Sequence, residues 1–71
     1  MNPINPKKLI NSKWTAIQPR NKEKHFIITE VDYDELGIVT SCIIEAVISK
    51  REANIDWKEL KNSDYWKQGW V

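Results

Sequence analysis

Residues 25–50 read HFIITEVDYDELGIVTSCIIEAVISK, from His25 to Lys50. The stretch is two β-rich runs around one turn. Phe26, Ile27, Ile28, Thr29, Val31 and Tyr33 carry the side chains that fit a pleated, half-buried surface. Apolar residues fall on both faces at the start of this run and then alternate with Glu30 and Asp32, which predicts a strand over His25–Asp32 buried on both sides at one end. Asp34-Glu35-Leu36-Gly37 is the clearest turn in the chain, and Gly37 supplies a positive φ without steric cost. A third strand is predicted from Ile38 to Lys50, with Ile38, Thr40, Cys42, Ile44, Ala46 and Ile48 on its core face. That is long for a strand, so a bulge or bend is expected within it. A helix over Ser41–Ser49 is the rival reading, rejected because the stretch is rich in Ile and Val and follows a hairpin turn.

Working outward, Lys13-Trp14-Thr15-Ala16-Ile17-Gln18 reads as the first strand, ending at Pro19, and Pro19–Lys24 as a polar loop. A short strand over Glu52–Asp56 is expected to return after a turn near Lys50-Arg51. Asp56-Trp57-Lys58-Glu59 has the form of a capping box, opening a helical turn that carries Trp57 and Leu60. Asn62 or Ser63 is expected to cap a second helical turn holding Tyr65 and Trp66, closed by Gly69. Asn2-Pro3 and Asn5-Pro6 make an extended lead-in, with Lys7-Lys8-Leu9-Ile10 as a short apolar anchor. The expected architecture is mainly β: one domain spanning 1–71, with an extended arm over 1–11, antiparallel strands over 12–56 and tryptophan-rich helical turns over 57–71. It is a meander of about four strands, open or curled into a small SH3-like barrel.

A chain of 71 residues has a thin core and needs large apolar side chains, a staple or a partner. Its single cysteine, Cys42, forms no intrachain disulfide, and its single histidine, His25, leaves the usual Cys/His zinc sets incomplete. Four tryptophans, Trp14, Trp57, Trp66 and Trp70, are the remaining resource. Each buries on the order of 200 Å2 when enclosed, a gross gain of roughly 5 kcal/mol before ordering entropy is counted. The lone thiol and the lack of a signal segment suit a reducing, cytoplasmic setting. No apolar run reaches the roughly 20 residues of a membrane helix, and neither end carries a lipidation motif.

The net charge of +1 is unevenly spread. Residues 1–24 hold Lys7, Lys8, Lys13, Arg20, Lys22 and Lys24 against Glu23 alone, a net +5. Residues 25–49 hold Glu30, Asp32, Asp34, Glu35 and Glu45 and no Lys or Arg, a net −5. Such blocks suit an anionic partner; the commoner arrangement has the basic arm packing near its own acidic hairpin.

The candidate contact residues are Trp57, Tyr65, Trp66 and Trp70 with Lys58 and Lys67, joined by Lys13, Arg20, Lys22 and Lys24. Aromatics interleaved with lysines can stack bases or grip a peptide. In a chain this small most of the tryptophans are needed in the core. One arrangement meets both demands: Trp14 and Trp57 buried, with Trp66 or Trp70 part-exposed at a rim. Catalysis finds no support, because His25 has no identifiable carboxylate partner or nucleophile. Cys42 reads as a buried structural thiol. Asp32, Asp34 and Glu35 lack calcium-loop spacing, and Gly37 and Gly69 do not form a phosphate loop. No catalytic, metal or cofactor site is expected. The chain reads as a non-catalytic binding or interaction module for an unknown protein partner. The alternative is a single-stranded RNA binder, although no RNA-binding signature of the common folds is present. Self-association into a homodimer through an exposed edge strand also fits.

Asn5-Pro6-Lys7-Lys8-Leu9, Ser12-Lys13-Trp14-Thr15-Ala16, Asn21-Lys22-Glu23-Lys24-His25-Phe26, and Trp57-Lys58-Glu59-Leu60 through Trp66 to Gly69-Trp70 form a spaced pattern. In it the chain resembles a family of short, tryptophan-rich bacterial proteins known as a domain of unknown function. The resemblance covers essentially the whole chain. It implies a stand-alone bacterial protein of one compact domain and implies no activity.

Overall fold

The computed structural model describes residues 1–71. Its centre is the hairpin of the opening stretch, β2 (Glu23–Tyr33) and β3 (Val39–Ala46). The Asp34 carboxylate closes the turn by accepting from the Leu36 and Ile38 backbone N–H groups at 2.8 and 3.0 Å. Gly37 sits at φ +80°, the left-handed region that a Cβ disfavours. The pairs Phe26–Ala46, Ile28–Ile44 and Val31–Cys42 face each other across the ladder. Between Ile28 and Glu30 the register slips, leaving Thr29 as an extra residue on β2. This bulge resets the alternation, so Ile28 and Val31, three apart, both point to the core. A second slip leaves Thr40 unpaired on β3, between the pairs Asp32–Ser41 and Tyr33–Val39.

β3 is shorter than its periodicity suggests. Cys42, Ile44 and Ala46 are buried, but Ile38 and Ile48, expected on the same face, are 58% and 76% exposed, and Thr40 is exposed as well. The strand stops at Ala46 because the chain turns back there. The Lys50 N–H donates to the Ala46 carbonyl, the Ala46 N–H donates to Arg51, and Lys50 takes φ +61°. An apolar period cannot report such a turn, since Val47 and Ile48 continue it unbroken.

Around the hairpin grow β1 (Lys13–Arg20), β4 (Glu52–Asn54) and β5 (Trp66–Gln68). The order is β4-β3-β2-β1-β5, with every pair antiparallel. β4 and β5 lie at opposite edges of an open sheet, so the SH3-like closure is not made. There are five strands rather than about four. The added one is β5, which takes Trp66 out of the expected helical turn. The reason is an unpaired edge: Trp14, Thr15 and Ala16 of β1 offer backbone groups that Gln68, Lys67 and Trp66 fill.

β1 also runs through Pro19 instead of ending there. Between Thr15 and Arg20 it leaves register with β2, and the missing proline N–H falls in that irregular stretch. The expected polar loop contracts to Asn21-Lys22, both at positive φ (55° and 61°), as a tight primed hairpin turn requires.

One cluster, Leu9, Trp14, Ile28, Cys42, Ile44 and Leu60, forms the core on one face of the sheet. Two segments roof it. The Trp57–Lys61 3-10 turn is capped by Asp56, whose carboxylate accepts from the Lys58 N–H at 3.1 Å. Glu59 contributes its backbone N–H to the Asp56 carbonyl at 2.8 Å. The N-terminal segment, expected to be extended, winds one 3-10 turn over Pro6–Lys8 under an Asn5 cap and sinks Leu9 into the core. Asn2 pins it by donating to the Leu60 and Trp66 carbonyls at 2.8 and 2.7 Å. The other sheet face has no such roof. The molecule is 15 Å through its thinnest direction, as one sheet with a thin cover should be.

Candidate interaction surface

The unroofed face is built by cross-strand neighbours. Lys13, Ile27, Glu45 and Glu52 form one row across β1, β2, β3 and β4. Glu30, Ile43 and Asn54 form the next. Thr15 lies between His25 and Lys67. In the first row Lys13 and the acids Glu45 and Glu52 therefore flank Ile27, and Lys67 adds a second basic group on the β1–β5 side; in the next row the acid, Glu30, is on β2 and the isoleucine, Ile43, on β3.

Thr15 is buried although it faces away from the core, because the C-terminal residues fold over it. Gly69, at φ +81°, turns the chain onto the open face. The Thr15 hydroxyl donates to the Gly69 carbonyl at 2.6 Å and accepts from the Val71 N–H at 3.2 Å. Trp70 lands on the sheet with its indole N–H donating to the Phe26 carbonyl at 2.9 Å. The Lys13 ammonium sits 4.9 Å from a Trp70 ring centroid, a cation–π distance. The His25 ring lies at 6.0 Å, tilted 38°, and its Nε2 meets the Val71 carbonyl oxygen at 2.9 Å. That oxygen only accepts, so Nε2 carries a proton in this contact. Trp70 is thus held on several sides yet remains 43% exposed.

The structure gathers Trp70, Lys13 and Lys67 but disperses the other candidates. Trp57 packs on the core cluster from the roof, under Lys61 at 4.8 Å. Trp66 also packs on the core, edge-on to Phe26 with centroids 5.2 Å apart. Tyr65 is exposed just before β5, and Lys58 is exposed on the roof. Arg20, Lys22 and Lys24 are exposed around the Asn21-Lys22 turn. The aromatic set is therefore split between the two sides of the sheet. Trp14 is in the core and Trp57 and Trp66 are half-buried. Strand alternation already sets Ile43 and Glu45 on the face opposite Cys42, Ile44 and Ala46, but sequence reading named none of His25, Ile27, Ile43 and Glu45 as contact residues. The signal for Ile27 was present, as an apolar residue out of phase with Phe26 and Ile28.

A second feature lies at the hairpin end. A cleft of about 380 Å3 is lined by Arg20, Phe26, Ile44 and Arg51 among others, with Glu23 in its wall. Glu23 is buried, accepting from the Ser49 hydroxyl and the Arg51 guanidinium. This is the one ion pair in the molecule. The basic and acidic blocks of the sequence form none with each other, although the arm does reach the hairpin where the Tyr33 hydroxyl donates to the Pro6 carbonyl at 2.6 Å. The Ser49 hydrogen bond holds the Glu23 carboxyl below its ordinary value of 4.5, outweighing the upward push of burial, and Arg51 adds to the depression. A depressed carboxyl contributes stability that is fully present above the ordinary value and is lost as pH falls through the lowered one. The resistance of the wild type to urea should therefore fall on acidification below 4.5. Glu23→Gln should be less stable at neutral pH and show a shallower acid decline; parallel profiles would refute the assignment.

Cys42 is buried and free, and burial pushes its thiol pKa up. No three His, Cys, Asp or Glu side chains converge as metal ligands. No helix is long and apolar enough to cross a membrane.

Fold and surface together define a small tryptophan-rich β-sheet domain with one roofed and one open face. Over residues 12–71 the chain matches the family described as Tryptophan-rich protein (DUF2389), and it belongs to that family. The resemblance read from the spaced tryptophans is to this domain of unknown function. No curated protein and no solved structure matches the chain.

Proposed function

We propose that the protein is a non-catalytic interaction module that binds a protein partner through the open sheet face around Trp70. The observation that carries this reading is the state of Trp70: 43% exposed, yet fixed by its indole hydrogen bond and by Lys13 and His25. A large ring already ordered before contact loses little entropy on binding, and tryptophans of this kind dominate interface energetics. Ile27, paired with Lys13 across β1 and β2, extends the apolar centre, and Ile43 lies one row further along on β3.

Single-stranded RNA is the second reading. It is favoured by the cations Lys13 and Lys67 on the Trp70 side of the face. The same face presents one stacking ring rather than a row, and that favours protein.

A photoreactive phenylalanine analogue placed at position 70 separates the two in living cells. The expected result is a discrete protein adduct, absent when the analogue replaces Leu36, which is 84% exposed at the hairpin tip. Adducts to RNA, together with salt-sensitive quenching of the purified protein by mixed-sequence RNA, would replace the first reading with the second. No adduct at position 70 would refute both.

A further inference from the structure

We infer that the occupant of the open face is a second copy of this chain, stacked sheet on sheet; this rests on the reading of that face as an interaction surface. The argument is the order of charges across the strands. Lys13 on β1, Ile27 on β2 and Glu45 on β3 stand side by side in one row. A two-fold axis parallel to β2, passing over Ile27, reverses left and right between the copies. Ile27 then meets its own counterpart, and Lys13 of each copy meets Glu45 of the other; Glu30, further along β2 and exposed, also meets its own counterpart, a repulsion that the two Lys13–Glu45 pairs outweigh. Both charge pairs form at once, as an isologous interface requires.

The apolar residues comply with the same operation. Val47, which follows inward-facing Ala46 and donates its N–H to the His25 carbonyl, lies on the acidic side. Trp70 lies over Lys13 and His25 on the basic side. Reversal brings the two together. The long dimensions of the molecule, 37 and 25 Å, give a face broad enough for the roughly 800 Å2 per partner of a standard interface. Edge pairing, the arrangement expected from sequence, has less to offer, because β4 and β5 are three residues each. A sheet buried on one face only also lacks the second layer that usually completes such a domain, and a second copy supplies it.

The test is sedimentation velocity of the purified chain from micromolar to millimolar concentration. The wild type should show a concentration-dependent monomer–dimer equilibrium. Lys13→Glu and Glu45→Lys should each weaken it by roughly tenfold, since each places like charges opposite one another twice. An equimolar mixture of the two variants restores both pairs and should dimerise again, as a heterodimer. That rescue cannot arise from misfolding of either variant. A monomer at every concentration would overturn the inference, as would variants that dimerise normally or a mixture that fails to recover. If the monomeric chain still yields a foreign protein adduct at position 70, only the second copy is refuted and the interaction reading stands. If it yields no adduct, both fall.

Discussion

A Trp14→Ala variant is expected to lose roughly 3–5 kcal/mol of stability, the usual cost of emptying a buried tryptophan site. A chain of 71 residues has roughly 4–10 kcal/mol in total, so a large part of the variant should be unfolded at modest urea. Trp14 is 1% exposed and lies between Phe26 of β2 and Gln68 of β5. Its indole N–H donates to the Ser12 hydroxyl at 2.9 Å, which in turn donates to the Leu9 carbonyl at 2.5 Å. The ring therefore joins the sheet to the N-terminal roof. Trp14→Phe keeps most of the ring and should retain the fold at a smaller cost. Urea curves followed by circular dichroism check the order: wild type, Trp14→Phe, then Trp14→Ala. A Trp14→Ala protein as stable as the wild type would remove Trp14 from the core.

Leu60→Ala should have the second largest effect, roughly 2–5 kcal/mol. Leu60 is fully enclosed and is the only buried residue of the Trp57–Lys61 turn. A 3-10 turn of this length has little stability of its own, so its position depends on that one anchor. Its carbonyl also receives Asn2, so losing the anchor should loosen both roof segments. Hydrogen exchange should then quicken at the roof and along β5 before the β2–β3 hairpin. Ile48→Ala is the matching control. Periodicity placed Ile48 in the core, yet at 76% exposure its truncation should stay within about 0.5 kcal/mol. Equal losses for the two variants would contradict the arrangement described above.

Much of the fold was legible because it rests on chemistry local in the chain. The Asp34–Gly37 turn needs an Asx acceptor and a positive φ at one place, and both residues are adjacent there. The inward phase of Cys42, Ile44 and Ala46 follows from strand alternation. Asp56 caps a turn that begins at the next residue. The family was legible for a similar reason, since its pattern is spaced tryptophans along one sequence.

The candidate site was legible only in part. Composition pointed to Trp70, Lys13 and Lys67, but nothing along the chain says that Trp57 and Trp66 turn inward while Trp70 crosses to the other side. Tryptophan looks alike in both settings. Its surroundings come from distant segments: the carbonyl that holds the Trp70 indole belongs to Phe26, 44 residues away. Glu23 is the parallel case, a carboxylate in a basic block whose partners, Ser49 and Arg51, arrive from the far end of β3.

Residue order alone was enough for the β class, the central hairpin and the inward phase of Cys42, Ile44 and Ala46, because neighbours two to four positions apart settle those. Folding in space set the fifth strand, the early end of β3, the roof on one face and the charge polarity of the other. Each of these depends on which backbone edges and which sheet faces are still unfilled once the hairpin has formed. An unfilled edge or face is a property of the assembled sheet, and no single segment carries it.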